Sequence, residues 1–202
     1  MNNSVITKNF SSPKVDRNEI LRYLGAKKGD LVTENLLDSC LFELEEKLKY
    51  LLCYTELSIG IDGDEIDLGF TRVSSHSLAI NLSGCDKIIL FCATVGIEAD
   101  RLMTRYSTTS PSRTAMLGAI GSERVEALCD EFCASVSLEL KERGYSCRPR
   151  YSPGYGDLSL EVQRDIFRTL EPSKRIGVSL GDSLFMTPTK SVTAIIGLYK
   201  DN

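Results

Sequence analysis

The sequence has few of the residue types and motifs on which hydrolytic and metal sites depend. It has no tryptophan, one histidine at position 76, and seven cysteines with no CxxC pair among them. A lone His76, with nothing in the sequence to orient it, does not support a serine–histidine or cysteine–histidine nucleophile system. An odd cysteine count without CxxC spacing argues against a disulfide scaffold and against an ordinary zinc site.

Phosphate-binding loops and basic blocks are also absent. There is no Walker sequence, and no GxGxxG follows a strand to open a helix, which argues against a Rossmann nucleotide-binding unit. The net charge is −4 and the isoelectric point is near 5.2. Nucleic-acid binding through a basic surface is therefore not expected.

Long apolar runs are missing too. Residues 1–14 lack the apolar run of a signal peptide, and no stretch approaches the ~18 apolar residues of a membrane span. The chain has 42% apolar and 26% charged residues, which is ordinary for a domain with a real core. We therefore expect a cytoplasmic protein with no membrane partner: a flexible N-terminal arm over residues 1–14 and a single domain over residues 15–202.

Two helices are predicted near the N-terminus. Asp16 begins a variant of the capping box, in which Asp16 caps the helix and Glu19 reaches back. Gly25 supplies a stop signal for this helix. A leucine-rich stripe with a period of 3.6 then predicts a longer amphipathic helix over residues 36–51.

The remainder of the chain mixes strand and helix patterns. Residues 54–59 and 65–70 flank a turn-rich break that fits a hairpin, and the apolar run in 87–94 predicts a central strand. Further helices are predicted over 98–106, 112–143 and 157–172, and further strands over 176–180 and 191–198. This order predicts an α+β fold with a mainly antiparallel sheet partly covered by helices.

The least periodic stretch, residues 148–157, reads RPRYSPGYGD and lies between two helical patterns. Its prolines fix φ and remove N–H donors, while its glycines allow turns that other residues resist. Such a segment suits a flat ligand lying along the backbone, with an arginine gripping a carboxylate at two points. A carboxylate such as Asp16 or Glu126 would face an ammonium or a sulfonium. The alternative interpretation is an irregular connection between two helices.

This stretch, together with IGVSLGDSLFMTP at 176–188, resembles the activation domain of cobalamin-dependent methionine synthase. In that family an R-x-x-x-G-Y segment lies along S-adenosylmethionine, and a segment of the type G-x-x-L-T-E-S-x-x-M-x-P leads into a last strand. Similar elements occur in the same order at residues 15–16, 85–99 and 126–127. The resemblance spans residues 15–198 and rests mainly on the C-terminal quarter.

The resemblance implies a set of cofactor-binding residues and no catalytic side chain or metal ligand. The set is Arg148, Pro149, Arg150, Gly154, Tyr155, Asp16, Glu126 and, through its backbone, Ile196. Two arginines compete for the family position: counting back from Gly154-Tyr155 favours Arg150, whereas the Arg-Pro pair favours Arg148, which we prefer slightly.

The sequence departs from the family pattern at two places. The cysteine–proline that follows the Gly-Tyr pair in the family is replaced by Gly156-Asp157. The family's aromatic pair on the last strand is replaced by Ile196-Gly197, so side-chain stacking is lost there.

The resemblance implies a free-standing, S-adenosylmethionine-binding reactivation component of methionine biosynthesis. It would support reductive methylation of cob(II)alamin, a methyltransferase step, on a separate cobalamin-dependent methionine synthase or corrinoid protein. The implied partners are that corrinoid-binding protein, which holds the cobalamin, and an electron-donor protein such as flavodoxin. The alternative is a non-catalytic binding or interaction module for a corrinoid methyltransferase. An independent small-molecule methyltransferase is a third possibility, weakened by the missing Rossmann motif.

Overall fold

A five-stranded antiparallel sheet with helices against both faces forms the centre of the computed structural model, which describes residues 4–26 and 28–201. The strands are β1 (Ile6–Phe10), β2 (Tyr50–Ser58), β3 (Gly60–Asp62), β4 (Glu65–Asp67), β5 (Arg72–Ser74), β6 (Lys87–Thr94), β7 (Tyr145–Cys147), β8 (Ser179–Leu180), β9 (Met186–Thr187) and β10 (Ser191–Lys200). The helices are α1 (Arg17–Leu24), α2 (Leu31–Leu44), α3 (His76–Asn81), α4 (Glu98–Tyr106), α5 (Pro111–Glu142), α6 (Val162–Leu170) and α7 (Pro172–Arg175). The predicted α+β class is confirmed.

The sheet has the strand order β1-β2-β6-β10-β7, and β6 lies at its centre. Alternate residues of β6 point to opposite faces, so Leu90 packs with α3 and α6 while Phe91 packs beneath α5. Because both faces are covered, β6 is apolar along nearly its whole length. The predicted central strand is confirmed for this reason.

A second helical layer extends the sheet domain at one end. It consists of α1, α2, α4 and the first half of α5, which bury a core of their own around Ile20, Leu37 and Ile120. Asp16 caps α1 as predicted, since its side chain accepts hydrogen bonds from the N–H groups of Asn18 and Glu19. Glu19 does not reach back to close a capping box, because it pairs with Arg22 instead.

The structure corrects the predictions at the N-terminal end of the chain. Within the predicted arm, Ile6–Phe10 forms an edge strand because it pairs antiparallel with β2; residues 1–3 lie outside the described part. The predicted helix over 36–51 runs instead over Leu31–Leu44, and Leu51 lies in β2 opposite Thr94 of β6. Sheet pairing outweighs the helical spacing of the last leucines.

Three further boundaries differ from the predictions. The hairpin turn joins β3 to β4, and residues 54–58 belong to the long strand β2. The last long helix begins at Val162, because Asp157 caps α3 instead of opening this helix. Of the strand predicted over 176–180, only Ser179–Leu180 is paired.

No helix in the described ranges is long and apolar enough to cross a membrane.

Candidate ligand groove

The segment 148–157 continues the sheet beyond β7 by pairing with β10. The Arg148 N–H donates to the Gly197 carbonyl at 2.8 Å, and Tyr151 exchanges two hydrogen bonds of 2.8 Å with Ile195. Between these contacts, Pro149 and Arg150 together stand opposite Ile196. Two residues facing one form a β-bulge, which redirects side chains and tolerates a proline. The bulge explains why the sequence can place two arginines so close together with different surroundings.

Two adjoining recesses open beside this bulge, and together we call them the groove. The carboxylate recess has a volume of about 530 Å³ and is lined by Asp16, Glu126, Asp130 and Arg150 among others. The thiol recess has a volume of about 480 Å³ and is lined by Cys133, Cys147, Arg148, Pro149, Arg150 and Ile196 among others. Asp130 and Arg150 line both recesses, so Arg150 lies where the two meet.

Arg150 is held by two carboxylates on α5. It forms an ion pair with Asp130 at 2.5 Å and a second with Glu126. Burial opposes the charge of Arg150, but its hydrogen bond to Asp130 and the nearby negative charges outweigh this effect, so its pKa is raised. The guanidinium is therefore always charged, and an anionic ligand group would have to share it with these carboxylates.

Arg148 has a different environment. Its guanidinium donates to the Ser83 carbonyl at 2.7 Å and lies 4.5 Å from the centroid of the Tyr199 ring. Its buried Nε atom has no hydrogen-bond partner among the described residues. Arg148 thus lines the thiol recess while its charged end is used for contacts with the α3–β6 connection and β10.

A buried ion pair on α5 fixes the segment that carries Asp16. Arg124 and Glu123 are 2% and 3% exposed and pair at 2.6 Å. Arg124 also donates to the carbonyls of Pro13 and Lys14, at 2.5 and 2.7 Å, while Glu123 accepts the Asp16 N–H at 2.9 Å. We call residues 12–16 the N-terminal strap. These three hydrogen bonds tie the strap to α5 and thereby set Asp16 at the rim of the carboxylate recess.

Sequence reasoning missed this pair. The sequence predicts only a long helix there, although the two charged residues Glu123 and Arg124 interrupt the run between Ile120 and Val125, which are both buried. That interruption was the available signal, because charged residues are almost never fully buried unless they are paired.

The predicted Gly154-Tyr155 pair lies in a tight turn next to the groove. Gly154 has a φ of +90°, and its N–H donates to the Leu158 carbonyl at 2.9 Å. The Tyr151 hydroxyl donates to the Tyr155 carbonyl at 3.2 Å, and the Tyr155 ring is 67% exposed. Neither Gly154 nor Tyr155 lines either recess.

Tyr155 nevertheless lies near the carboxylate recess. Burial raises the pKa of Tyr23, which lines that recess, and the negative charges of Glu126 and Glu19 add to the effect, with a smaller contribution from Tyr155. The exposed Tyr155 ring thus lies outside the recess but within electrostatic range of one of its lining residues.

Asp157 ties this turn to α3. Its carboxylate accepts a hydrogen bond of 2.5 Å from the Ser75 hydroxyl and another of 2.9 Å from the His76 N–H. These bonds, that from Ser75 first, lower the pKa of Asp157 to about 2. His76 itself is exposed and bonded to Asp64 at 2.9 Å.

Ile196 contributes its side chain, not a free peptide group, to the thiol recess. It is 2% exposed and pairs with Ile89 of β6. The peptide groups of Ile195 and Gly197 face the bulged segment, whereas those of Ile196, between them, face β6 on the other side of β10. Backbone contacts between Ile196 and a ligand, as the sequence suggested, would require its pairing with Ile89 of β6 to open.

Cys133, which lines the thiol recess, is a weak nucleophile at neutral pH. Burial raises the pKa of Cys133, although Arg150 opposes the shift. Burial also raises the pKa of Cys129, which is fully buried one helical turn away. In the part of the chain that the structure describes, no group of three or more histidine, cysteine or carboxylate side chains is arranged to hold a metal ion.

Comparison with known proteins identifies a solved structure with a similar fold. No protein-family model matches the chain, and no curated protein matches it either. Among solved structures it matches the crystal structure of the MetH reactivation domain bound to AdoHcy, with a TM-score of 0.69 and 17% identity. The match covers 98% of this chain and 79% of that chain. The resemblance to the activation domain is therefore confirmed at the level of the fold.

Proposed function

We propose that this protein binds S-adenosylmethionine in the groove and acts as a reactivation component for a separate corrinoid protein. In this role it supports the reductive methylation of cob(II)alamin on a cobalamin-dependent methionine synthase or a related protein. It is a cytoplasmic component of methionine biosynthesis, and its electron-donor partner is a protein such as flavodoxin.

One observation carries the proposal. Residues from three distant parts of the chain, Asp16, Glu126 and the Arg148–Arg150 bulge, meet around two adjoining recesses on a fold like that of the MetH reactivation domain. The solved relative is a complex with AdoHcy, the demethylated form of the proposed ligand. The two recesses together provide enough room for a nucleoside with an amino-acid tail.

Groove residues of opposite charge bind different parts of the ligand. We assign the grip on the ligand carboxylate to Arg150, because it lies at both recesses, whereas Arg148 is engaged by Ser83 and Tyr199. Asp16 and Glu126 attract the ammonium or sulfonium charge through Coulomb interactions. The exposed Tyr155 ring adds a cation–π contact at the same end.

The chemistry comes from the bound molecules and not from a protein nucleophile. One electron from the donor and the methyl group of the sulfonium convert cob(II)alamin to methylcobalamin and release S-adenosylhomocysteine. The groove residues hold the donor in place so that its methyl group faces the partner, which is catalysis by proximity.

A second function is favoured by the state of Arg150. Its two ion pairs with α5 already satisfy much of its hydrogen-bonding capacity, and the family's aromatic pair is replaced by Ile196-Gly197. Both features suit a module that binds a corrinoid methyltransferase without binding S-adenosylmethionine.

Calorimetric titration and a methylation assay distinguish the two functions. We expect S-adenosylmethionine to bind the purified protein, and the protein to accelerate methylcobalamin formation when a corrinoid partner and a reductant are present. Association with the corrinoid partner, but no ligand binding with or without it, would favour the interaction module. Ligand binding without any rate increase would contradict the reactivation role.

A further inference from the structure

An apolar cavity on the other side of the N-terminal strap shares no lining residue with the groove. It has a volume of about 870 Å³ and opens between the helical layer and the sheet. Its floor is formed by Leu44, Tyr50 and Ile120, which are all buried. Half-buried side chains, among them Phe10, Val15 and Leu48, form its walls.

The cavity lies where two packed cores meet without filling the space between them. Tyr50 belongs to the core beneath α5, whereas Leu44 and Ile120 belong to the core of the helical layer, and Leu48 packs against both. Protein interiors are normally packed as densely as organic crystals. A ligand that covers the apolar lining left in contact with water would be stabilised, because apolar surface would be removed from water.

The polar groups of the lining indicate an uncharged ligand. Arg124, the buried cation, is already engaged by Glu123 and by two carbonyls of the strap. The other charged lining residues, Glu45, Glu46 and Lys49, are exposed. Inside, the Tyr50 hydroxyl accepts a hydrogen bond from Ser12 at 3.2 Å and keeps its own proton to donate.

We propose that this cavity is a second binding site, for a small, uncharged and largely apolar molecule with one hydrogen-bond acceptor. Its volume lies within the range of roughly 300–1,000 Å³ that is typical of small-molecule sites. Its lining has the usual composition of such sites, which is mostly apolar with a few placed polar groups. The acceptor of the ligand faces the Tyr50 hydroxyl.

Fluorescence titration of the full chain with Nile red, an uncharged apolar dye, tests the site. Leu41→Trp and Leu48→Trp place an indole in the cavity wall, and Leu138→Trp places the same indole on an exposed position of α5. We expect saturable binding at one site in the unaltered protein and in Leu138→Trp. At least tenfold weaker binding is expected in the two wall variants.

The indole reports its own position, since the chain has no tryptophan of its own. A blue-shifted emission and a native thermal transition in either wall variant identify a folded protein with a filled cavity. Unchanged Nile red affinity in such a variant overturns the proposal, and so does the absence of saturable binding to the unaltered protein.

Competition by two molecules of equal chain length tests the charge of the ligand. We expect 1-decanol to displace Nile red at concentrations at least tenfold lower than decanoate does. Equal or better displacement by decanoate would contradict the proposal that the ligand is uncharged. A concentration-dependent dimer in sedimentation, lost in Leu41→Trp and Leu48→Trp, would replace the small molecule by a second copy of the chain.

Discussion

The carboxylate recess and the apolar cavity lie on opposite sides of the same strap, and they differ in lining: the recess is lined mainly by charged side chains and the cavity mainly by apolar ones. Pro13, Lys14 and Asp16 line the recess, whereas Ser12 and Val15 line the cavity. On α5 the division repeats, since Glu123 lines the recess and Arg124 the cavity.

Successive residues on a helix point about 100° apart, so one turn of α5 can serve two surfaces. The buried pair of Glu123 and Arg124 joins these surfaces by anchoring the strap between them. The two sites are therefore separated by a local boundary, which consists of the strap and the Glu123–Arg124 pair, and not by a division into domains.

Breaking this boundary has the largest expected effect. Arg124→Met removes the cation and leaves Glu123 buried without its partner. We expect the free energy of unfolding to fall by about 3–5 kcal/mol, as for other broken buried pairs. Urea denaturation measures the change.

The double variant Glu123→Gln with Arg124→Met provides the control. It removes the uncompensated charge, so it should recover part of the lost stability. A loss below about 1 kcal/mol in Arg124→Met would mean that the pair does not hold the strap.

A second variant tests whether the turn beside the groove depends on a close backbone approach. At Gly156, φ is +53° and an added Cβ would lie 2.5 Å from the Tyr151 hydroxyl and 2.8 Å from the Ser77 hydroxyl. We expect Gly156→Ala to destabilise the protein by about 1–3 kcal/mol, from the left-handed backbone and the clash.

Gly177→Ala is the matched control, because Gly177 has a φ of +72° but no atom within 4 Å of the added Cβ. The excess loss in Gly156→Ala over Gly177→Ala measures the clash alone. Equal losses in thermal denaturation would refute the close approach.

The charge of the groove can be altered without touching the cavity. Asp130→Asn frees Arg150 from one exposed ion pair, and we expect S-adenosylhomocysteine to bind about 2–5-fold more tightly. Calorimetry measures the affinity. Glu131→Gln changes the net charge equally but removes no partner of Arg150, so it should have a smaller effect; equal effects would contradict a specific competition for Arg150.

The smallest effect concerns pH. The pKa of Asp157 falls from 3.8 to about 2 on folding, so its hydrogen bonds contribute stability above pH 4, and this contribution is lost as the pH falls towards 2. The melting temperature of Asp157→Asn should lie below that of the unaltered protein at pH 7, and the gap should narrow at pH 3. A constant gap would exclude Asp157 as the titrating group.

The sequence predicted those features that local patterns determine. The apolar run of β6, the Asp16 cap and the long helix α5 each follow from residues close together in the chain. The predicted end of α2 was wrong. The leucines after Leu44 fit a helix and a strand equally well, and only the pairing of β2 with β6 decides between the two.

The site could be predicted only in part, for a similar reason. The sequence indicated Asp16, Glu126 and both arginines and slightly preferred Arg148, whereas the proposed grip is assigned to Arg150. Their surroundings depend on a bulge formed against β10, a strand more than forty residues later. The apolar cavity has no sequence signature at all, because it arises where two independently packed cores meet.

The central claim is that Arg150, at the junction of the two recesses, grips the ligand carboxylate. Calorimetric titration with S-adenosylhomocysteine of Arg150→Ala, Arg148→Ala and the exposed control Arg164→Ala tests it directly. A lost charge-assisted contact of about 1.5–3 kcal/mol predicts roughly 10–150-fold weaker binding for Arg150→Ala, with a smaller change for Arg148→Ala and none for Arg164→Ala. Unaltered affinity in Arg150→Ala, with the protein folded and Arg148→Ala impaired, would contradict the claim.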